Sequence, residues 1–131
     1  MKIVRAGTNP SSWAPPTEFT GRVRRDAIIQ ADAPGRAGAG VNTFDPGART
    51  HWHTHPAGQI LVVTAGRAWV QVRGGKRQEL SVGDAAFFPA GEMHWHGATA
   101  DTGMSHMAIT ETVNGVAVNW LEPVTDEEYN G

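Results

Sequence analysis

The 131-residue sequence has no cysteine, a single tyrosine and little excess charge, with a formal net charge of −2. Without cysteine the chain forms no disulfide and no thiolate metal site. Without a basic excess there is no electrostatic footprint for nucleic acid or for an anionic membrane. No apolar run approaches the roughly 20 residues of a membrane span. The opening residues MKIVRAGTNP lack the apolar stretch of a secretory signal, so a cytoplasmic protein is expected. Helix signals are also scarce. The clearest is TDEEY at 125–129, where Thr125 and Glu128 have the spacing of a capping box and imply a short C-terminal helical turn.

What the chain does have is turns: sixteen glycines and eight prolines. They divide it into short apolar-polar segments every 8–12 residues, the pattern of an all-β sandwich or barrel. One domain over residues 1–131 is expected. Residues 1–21 read as an irregular N-terminal arm anchored by Trp13 and Phe19, with a short edge strand at Lys2–Arg5. Strands are predicted over 22–30, 41–44, 49–55, 59–64, 67–72, 77–82, 104–113 and 116–124, with another two inside 85–98. The glycine- and alanine-rich 31–40 reads as a loop, and RGGK (73–76) and NG (114–115) read as hairpin turns.

The chemistry is carried by histidine. HWHTH at 51–55 places three imidazoles two residues apart, and in a strand residues i and i+2 share a face. Two imidazoles so placed can converge on one ion. Spacing alone leaves three pairs open: His51/His53, His53/His55 and His51/His55. His94 and His96 form another such pair. On MSHMAITE, His106 shares a face with Met104, Ala108 and Thr110, which points it and Thr110 into the interior. His106 is the candidate general base, with an ordinary pKa near 6.5 that suits the role. Asn42 and Phe44 alternate with Val41 and Thr43 and can enter the pocket from a facing strand. Trp52 and Trp95 have the opposite parity to the histidines. They are expected on the far sheet face or at an interface with a second copy, giving a homodimer or homotetramer.

The order Gly47, five residues, His53-Thr54-His55, three residues, Gln59, six residues, Gly66 resembles the first motif of the cupin superfamily. The order Gly83, five residues, Pro89-Ala90-Gly91, two residues, His94, three residues, Ala98 resembles the second. Gln59 stands where most cupins have Glu, and Ala98 where they have Asn. The resemblance implies a jelly-roll barrel, a double-stranded β-helix, with metal motifs at 47–66 and 83–98 and with His53, His55, Gln59 and His94 as ligands. His51 and His96 then become pocket residues beside the metal. A set of three neutral imidazoles and one amide keeps the full 2+ charge and favours a bound anion. One divalent transition metal is expected, manganese ahead of iron, nickel, cobalt or zinc. The run FDPGARTHWHTHPAGQILVVTAG, the segment GEMHWHGA and the tail NWLEPVTDEEY resemble the small single-domain bacterial cupins that act as hydroxynitrile lyases. That resemblance implies reversible cleavage of an aromatic cyanohydrin to an aldehyde and HCN. A metal-dependent dioxygenase or isomerase of a small carbonyl compound is the alternative enzyme, and a small-molecule-binding cupin without catalysis is the third reading. In each case the partner is a small molecule, with no nucleic acid and no membrane.

Overall fold

Turn residues cut the chain into twelve strands and one helix, and the computed structural model describes all of them, from Met1 to Gly131. The strands are β1 (Ser12–Trp13), β2 (Phe19–Thr20), β3 (Val23–Gln30), β4 (Ala37–Phe44), β5 (Arg49–Thr50), β6 (His53–Thr54), β7 (Gln59–Val72), β8 (Gln78–Ser81), β9 (Ala85–Phe88), β10 (His94–Ala98), β11 (Met104–Glu111) and β12 (Asn119–Trp120). The helix is α1 (Asp126–Asn130), and the Thr125/Glu128 capping box closes its N-terminus.

All pairings are antiparallel. One sheet runs β1-β3-β4-β11-β7, with β9 on the far side of β7. The other joins β7 to β8 and β10, then β10 to β5 and β6, with β2 and β12 at its margins. The two sheets share β7. Its first half pairs with β11 as far as Gly66, and its second half pairs with β10 from Ala68. Sequence pattern predicts one strand ending at Thr64 and another beginning at Arg67. The chain instead bends without breaking, because Gly66 takes φ +70°, where a Cβ would lie 1.8 Å from the carbonyl oxygen of Gly103.

Other elements also differ from expectation. The segment read as a loop over 31–40 becomes strand from Ala37, and its small residues pack as sheet. Residues 2–5 form no strand, and Lys2 is tied instead to the carbonyl of Gln30 at 2.7 Å. The strand expected over 116–124 shrinks to Asn119–Trp120. The strand expected over 49–55 is broken at His51–Trp52. Arg49 pairs with Gly97 and His53 with His94, so four steps on one strand face three on the other. That extra residue is a bulge, and it ends the simple alternation through HWHTH.

Register sorts the inner face of the first sheet into rows. Val23, Phe44 and Met104 make an apolar row that joins the main core cluster. Next comes a polar row, Arg25, Asn42 and His106, then a row of small side chains, Ala27, Gly40 and Ala108. Gln30, Gly38, Thr110 and Gln59 make the last. On the outer face, Ile29, Ala39, Ile109, Ile60 and Phe87 form an apolar row across five strands, with Phe87 64% exposed.

Trp52 and Trp95 do turn away from the histidines, yet neither is open to a partner. Both are buried in a cluster with Val124 and Tyr129 beneath the C-terminal tail. Tyr129 Oη donates to the carbonyl of Ala98 at 2.7 Å, Trp52 Nε1 to Glu128 at 3.2 Å, and Arg49 to the carbonyl of Val124 at 2.9 Å. No helix of the chain is long and apolar enough to cross a membrane.

The Gly66 corner gives a direct test of the fold. Gly66→Ala must relieve a contact with main chain while holding a positive φ, and an expected cost of about 2–4 kcal/mol follows. Urea unfolding of the variant measures it. A loss below about 0.5 kcal/mol would show that the corner does not depend on glycine.

Candidate metal centre and active site

Between the two sheets lie five histidines: His53, His55, His94, His96 and His106, each at most 2% exposed. β6 supplies His53, the residue after β6 is His55, and β10 supplies His94 and His96; cross-strand register sets His53 directly opposite His94. Ring centroids are 4.3 Å apart for His53–His94, 5.0 Å for His53–His55 and 5.4 Å for His55–His94. Phe88 stacks on His94 at 3.7 Å and Trp120 lies 4.8 Å from His53, which holds the rings in place.

Hydrogen bonds fix which nitrogen faces inward. The Nδ1 atoms of His53, His55 and His94 lie 2.8, 2.8 and 2.9 Å from the carbonyl oxygens of His51, Ala117 and Glu92. A carbonyl only accepts, so each Nδ1 carries the proton and donates it. In a neutral ring Nε2 is then an unprotonated lone pair. The buried Nε2 of His55 has no partner at all. His94 Nε2 lies 3.4 Å from Gln59 Oε1, so two acceptors face one another. Gln59 is oriented by its Nε2, 3.5 Å from Thr110 Oγ1. Lone pairs gathered in this way fit a divalent cation and leave nothing else to satisfy them. His53, His94 and His96 offer ring nitrogens that all lie within 4.8 Å of one another and can hold a metal ion.

His96 and His106 form a second unit. His106 Nε2 and His96 Nδ1 are 3.0 Å apart, so one proton is shared between them. Their outer nitrogens, His96 Nε2 and His106 Nδ1, are buried without partners. Phe44 lies 5.2 Å from His106 and 6.1 Å from His96 and belongs to the core behind them. Asn42 faces His106 across the sheet, and Thr110 supports Gln59. His51 sits apart. The bulge takes its ring off the metal face and sets it near Thr17, Glu18 and Arg49, while its carbonyl orients His53. An open depression of about 520 Å³ has Ala27, Gly38, Gly40, Ala108, Thr110 and Ala117 in its wall.

Three features of the site escaped the sequence reading. The orienting carbonyls carry no side-chain signature. The small-residue floor corresponds to AGAG at 37–40, whose composition is that of a loop. Arg25 is on the inner face through register with Asn42, which a single sequence does not display.

Burial sets the protonation state. It pushes His53 and His96 well below the usual histidine range, lowers His55, and brings His94 and His106 to about 4. For His106 the ordinary value expected from sequence is thereby corrected, since its ring has no solvent contact. The unfolded chain takes up these protons below about pH 6.5 while the folded chain refuses them until about pH 4. Stability is therefore complete above pH 7 and lost as pH falls from about 6.5 to about 4. Metal-free protein is expected to lose at least about 3 kcal/mol over that window. Urea unfolding at pH 7, 5.5 and 4.5 measures the loss, and equal stability at all three would contradict the buried neutral cluster.

The comparisons with known proteins agree with this geometry. Residues 40–110 match the Cupin domain family. The chain is 50% identical over 129 residues to an (R)-mandelonitrile lyase of Granulicella tundricola, covering 98% of each chain. It superposes on a cupin-like protein from Thermotoga maritima with TM-score 0.83 and 37% identity, covering 99% of this chain and 96% of that one. A predicted oxalate decarboxylase from Thermotoga maritima shares the fold at TM-score 0.74 and 20% identity, covering 86% of this chain and all of that one. An all-β barrel with one short C-terminal helix, a shared bent strand and clustered histidines at motif spacing place the chain in a known group: it belongs to the cupin family.

Proposed function

We propose that the chain is a metal-dependent lyase that cleaves an aromatic cyanohydrin reversibly to an aldehyde and HCN. The observation that carries this reading is its 50% identity to a mandelonitrile lyase over nearly the whole of both chains. The ligand set is His53, His55, Gln59 and His94. His53 and His94 are shared with the geometric triad. His55 is preferred over His96 because it donates from Nδ1 to a carbonyl and keeps a bare, unpartnered Nε2, whereas His96 accepts from His106 at Nδ1 and so carries its own proton on Nε2. Nitrogen and amide oxygen donors suit manganese first, and also iron, nickel, cobalt or zinc. When bound, the divalent ion supplies positive charge that stabilises negative charge developing on the substrate oxygen and on cyanide.

The chain's own residues do the rest. The small row of Ala27, Gly40 and Ala108 leaves room for an aryl ring. His106 accepts the hydroxyl proton at Nδ1 while its Nε2–H donates to His96 Nδ1. The O–H electrons form the carbonyl, the C–CN pair leaves with cyanide, and His106 returns the proton to give HCN. His96 spreads the transient charge through the shared hydrogen bond.

Metal-free protein loaded in turn with Mn, Fe, Ni, Co and Zn, then given mandelonitrile with and without air, tests the reading. Benzaldehyde and cyanide are expected in equal amounts, without oxygen consumption, and only with metal. Release with no metal dependence, or turnover only with oxygen, would sink it and favour the oxygenase reading. His106→Ala is expected to keep its metal and lose about 100-fold or more in kcat; an unchanged rate would remove His106 as the base.

The same reading includes a homodimer or homotetramer. The row Ile29–Ala39–Ile109–Ile60–Phe87 is the surface a second copy would cover, since the row carries no charge. Light scattering after gel filtration is expected to give a multiple of 14.0 kDa that Phe87→Glu reduces. A monomeric mass for the unmodified chain would contradict it.

A further inference from the structure

Arg25 is the one formally charged residue in the four inner-face rows of the first sheet. Its neighbours along the strand make its orientation plain. Val23, two residues earlier, is buried in the core, while Arg24 faces outward and pairs with Asp26 at 3.1 Å. The Arg25 guanidinium lies 5.9 Å from the ring of Phe19, itself a core residue. Its side chain is 38% exposed, so it is a half-buried cation at the mouth of the barrel.

That cation is incompletely satisfied. A guanidinium presents five N–H donors, and one ion pair engages it, Nη1 to Glu18 Oε2 at 3.2 Å. Beside it in the same row is Asn42, whose side chain makes no hydrogen bond within the chain, and beyond Asn42 is His106. Strands lie about 4.8 Å apart, so Arg25 and His106 are separated by about 10 Å at the backbone. The adjacent row is Ala27, Gly40 and Ala108, the floor of the proposed aryl pocket. An aromatic ring lying on that floor with its reacting carbon near His106 directs its opposite end toward Arg25.

We propose that Arg25 is a specificity residue that recognises a carboxylate or similar anionic substituent on the far end of an aromatic substrate, with Glu18 as its resident competitor. The proposal rests on the lyase reading only for the reacting end of the molecule; recognition of the anionic end requires no turnover. A planar carboxylate meets the guanidinium in two parallel hydrogen bonds, a geometry that the one-armed Glu18 contact leaves open.

The test compares 4-formylbenzoate with its neutral isostere 4-formylbenzamide, by titration calorimetry on the metal-loaded protein. The carboxylate is expected to bind about tenfold more tightly, the worth of a hydrogen bond to a charged group. Arg25→Gln is expected to bring the ratio to about one. Glu18→Gln frees the guanidinium and is expected to raise the ratio above that of the unmodified chain. The two opposite effects separate recognition from general damage, which would lower both affinities together. An equal affinity for the two ligands, no binding of either, or a preference that survives Arg25→Gln would overturn the proposal, the last by showing that the carboxylate sits on the metal. If Arg25→Gln does not fold, Glu18→Gln decides alone: a higher ratio supports the proposal and an unchanged or lower ratio overturns it. Anion preference without cyanohydrin cleavage would leave this inference standing and remove the lyase reading, and cleavage without anion preference would do the reverse.

Discussion

Three hydrogen bonds from imidazole to main chain govern everything else in the site. Each takes the Nδ1 proton of a histidine into a carbonyl, of His51, Ala117 or Glu92. A neutral imidazole has one proton to give, so the bond chooses the tautomer and turns a lone pair inward. Burial then keeps the rings neutral, since a charged ring in this interior loses its hydration without gaining a counter-ion. Orientation and neutrality together gather lone pairs that could hold a metal ion. The same rings made charged would repel one another and weaken the barrel.

The barrel exists to hold those carbonyls and rings in register. His51 lies in the bulge just before β6 and His53 opens β6, Glu92 comes just before β10, and Ala117 just before β12. Three separate chain segments therefore have to meet, and β7 brings the sheets together by bending at Gly66. The tail completes the outside. Its helix is too short to be stable alone, and it is held by Tyr129, Trp52 and Arg49 against the back of the histidine strands.

The legible part of the sequence was whatever depends on local spacing. The cupin resemblance, carried by fixed intervals between glycine, proline and histidine, points to His53, His55, Gln59 and His94, which the fold brings together in its interior, and the capping box at Thr125 is a four-residue pattern. What depends on pairing was not legible. His51 shares parity with His53 on paper, yet one extra residue against β10 takes it elsewhere, and no local feature of HWHTH announces that bulge. The Ala-Gly run at 37–40 has turn composition and becomes strand, because it is paired with β3 on one edge and β11 on the other. Parity turns Trp52 and Trp95 away from the histidines, as the fold does, but carries no sign of the tail that covers them. The pKa of His106 follows from its depth, and depth comes only with the fold.

The central claim concerns protons on three nitrogens, and it can be read directly. Long-range 15N–1H correlation spectra of the metal-free protein at pH 7.5 report the tautomer of each imidazole. His53, His55 and His94 are expected to be neutral and protonated at Nδ1, with Nε2 shifts of a bare nitrogen that move when metal is added. Protonation at Nε2, or charged rings, at any of the three would contradict it.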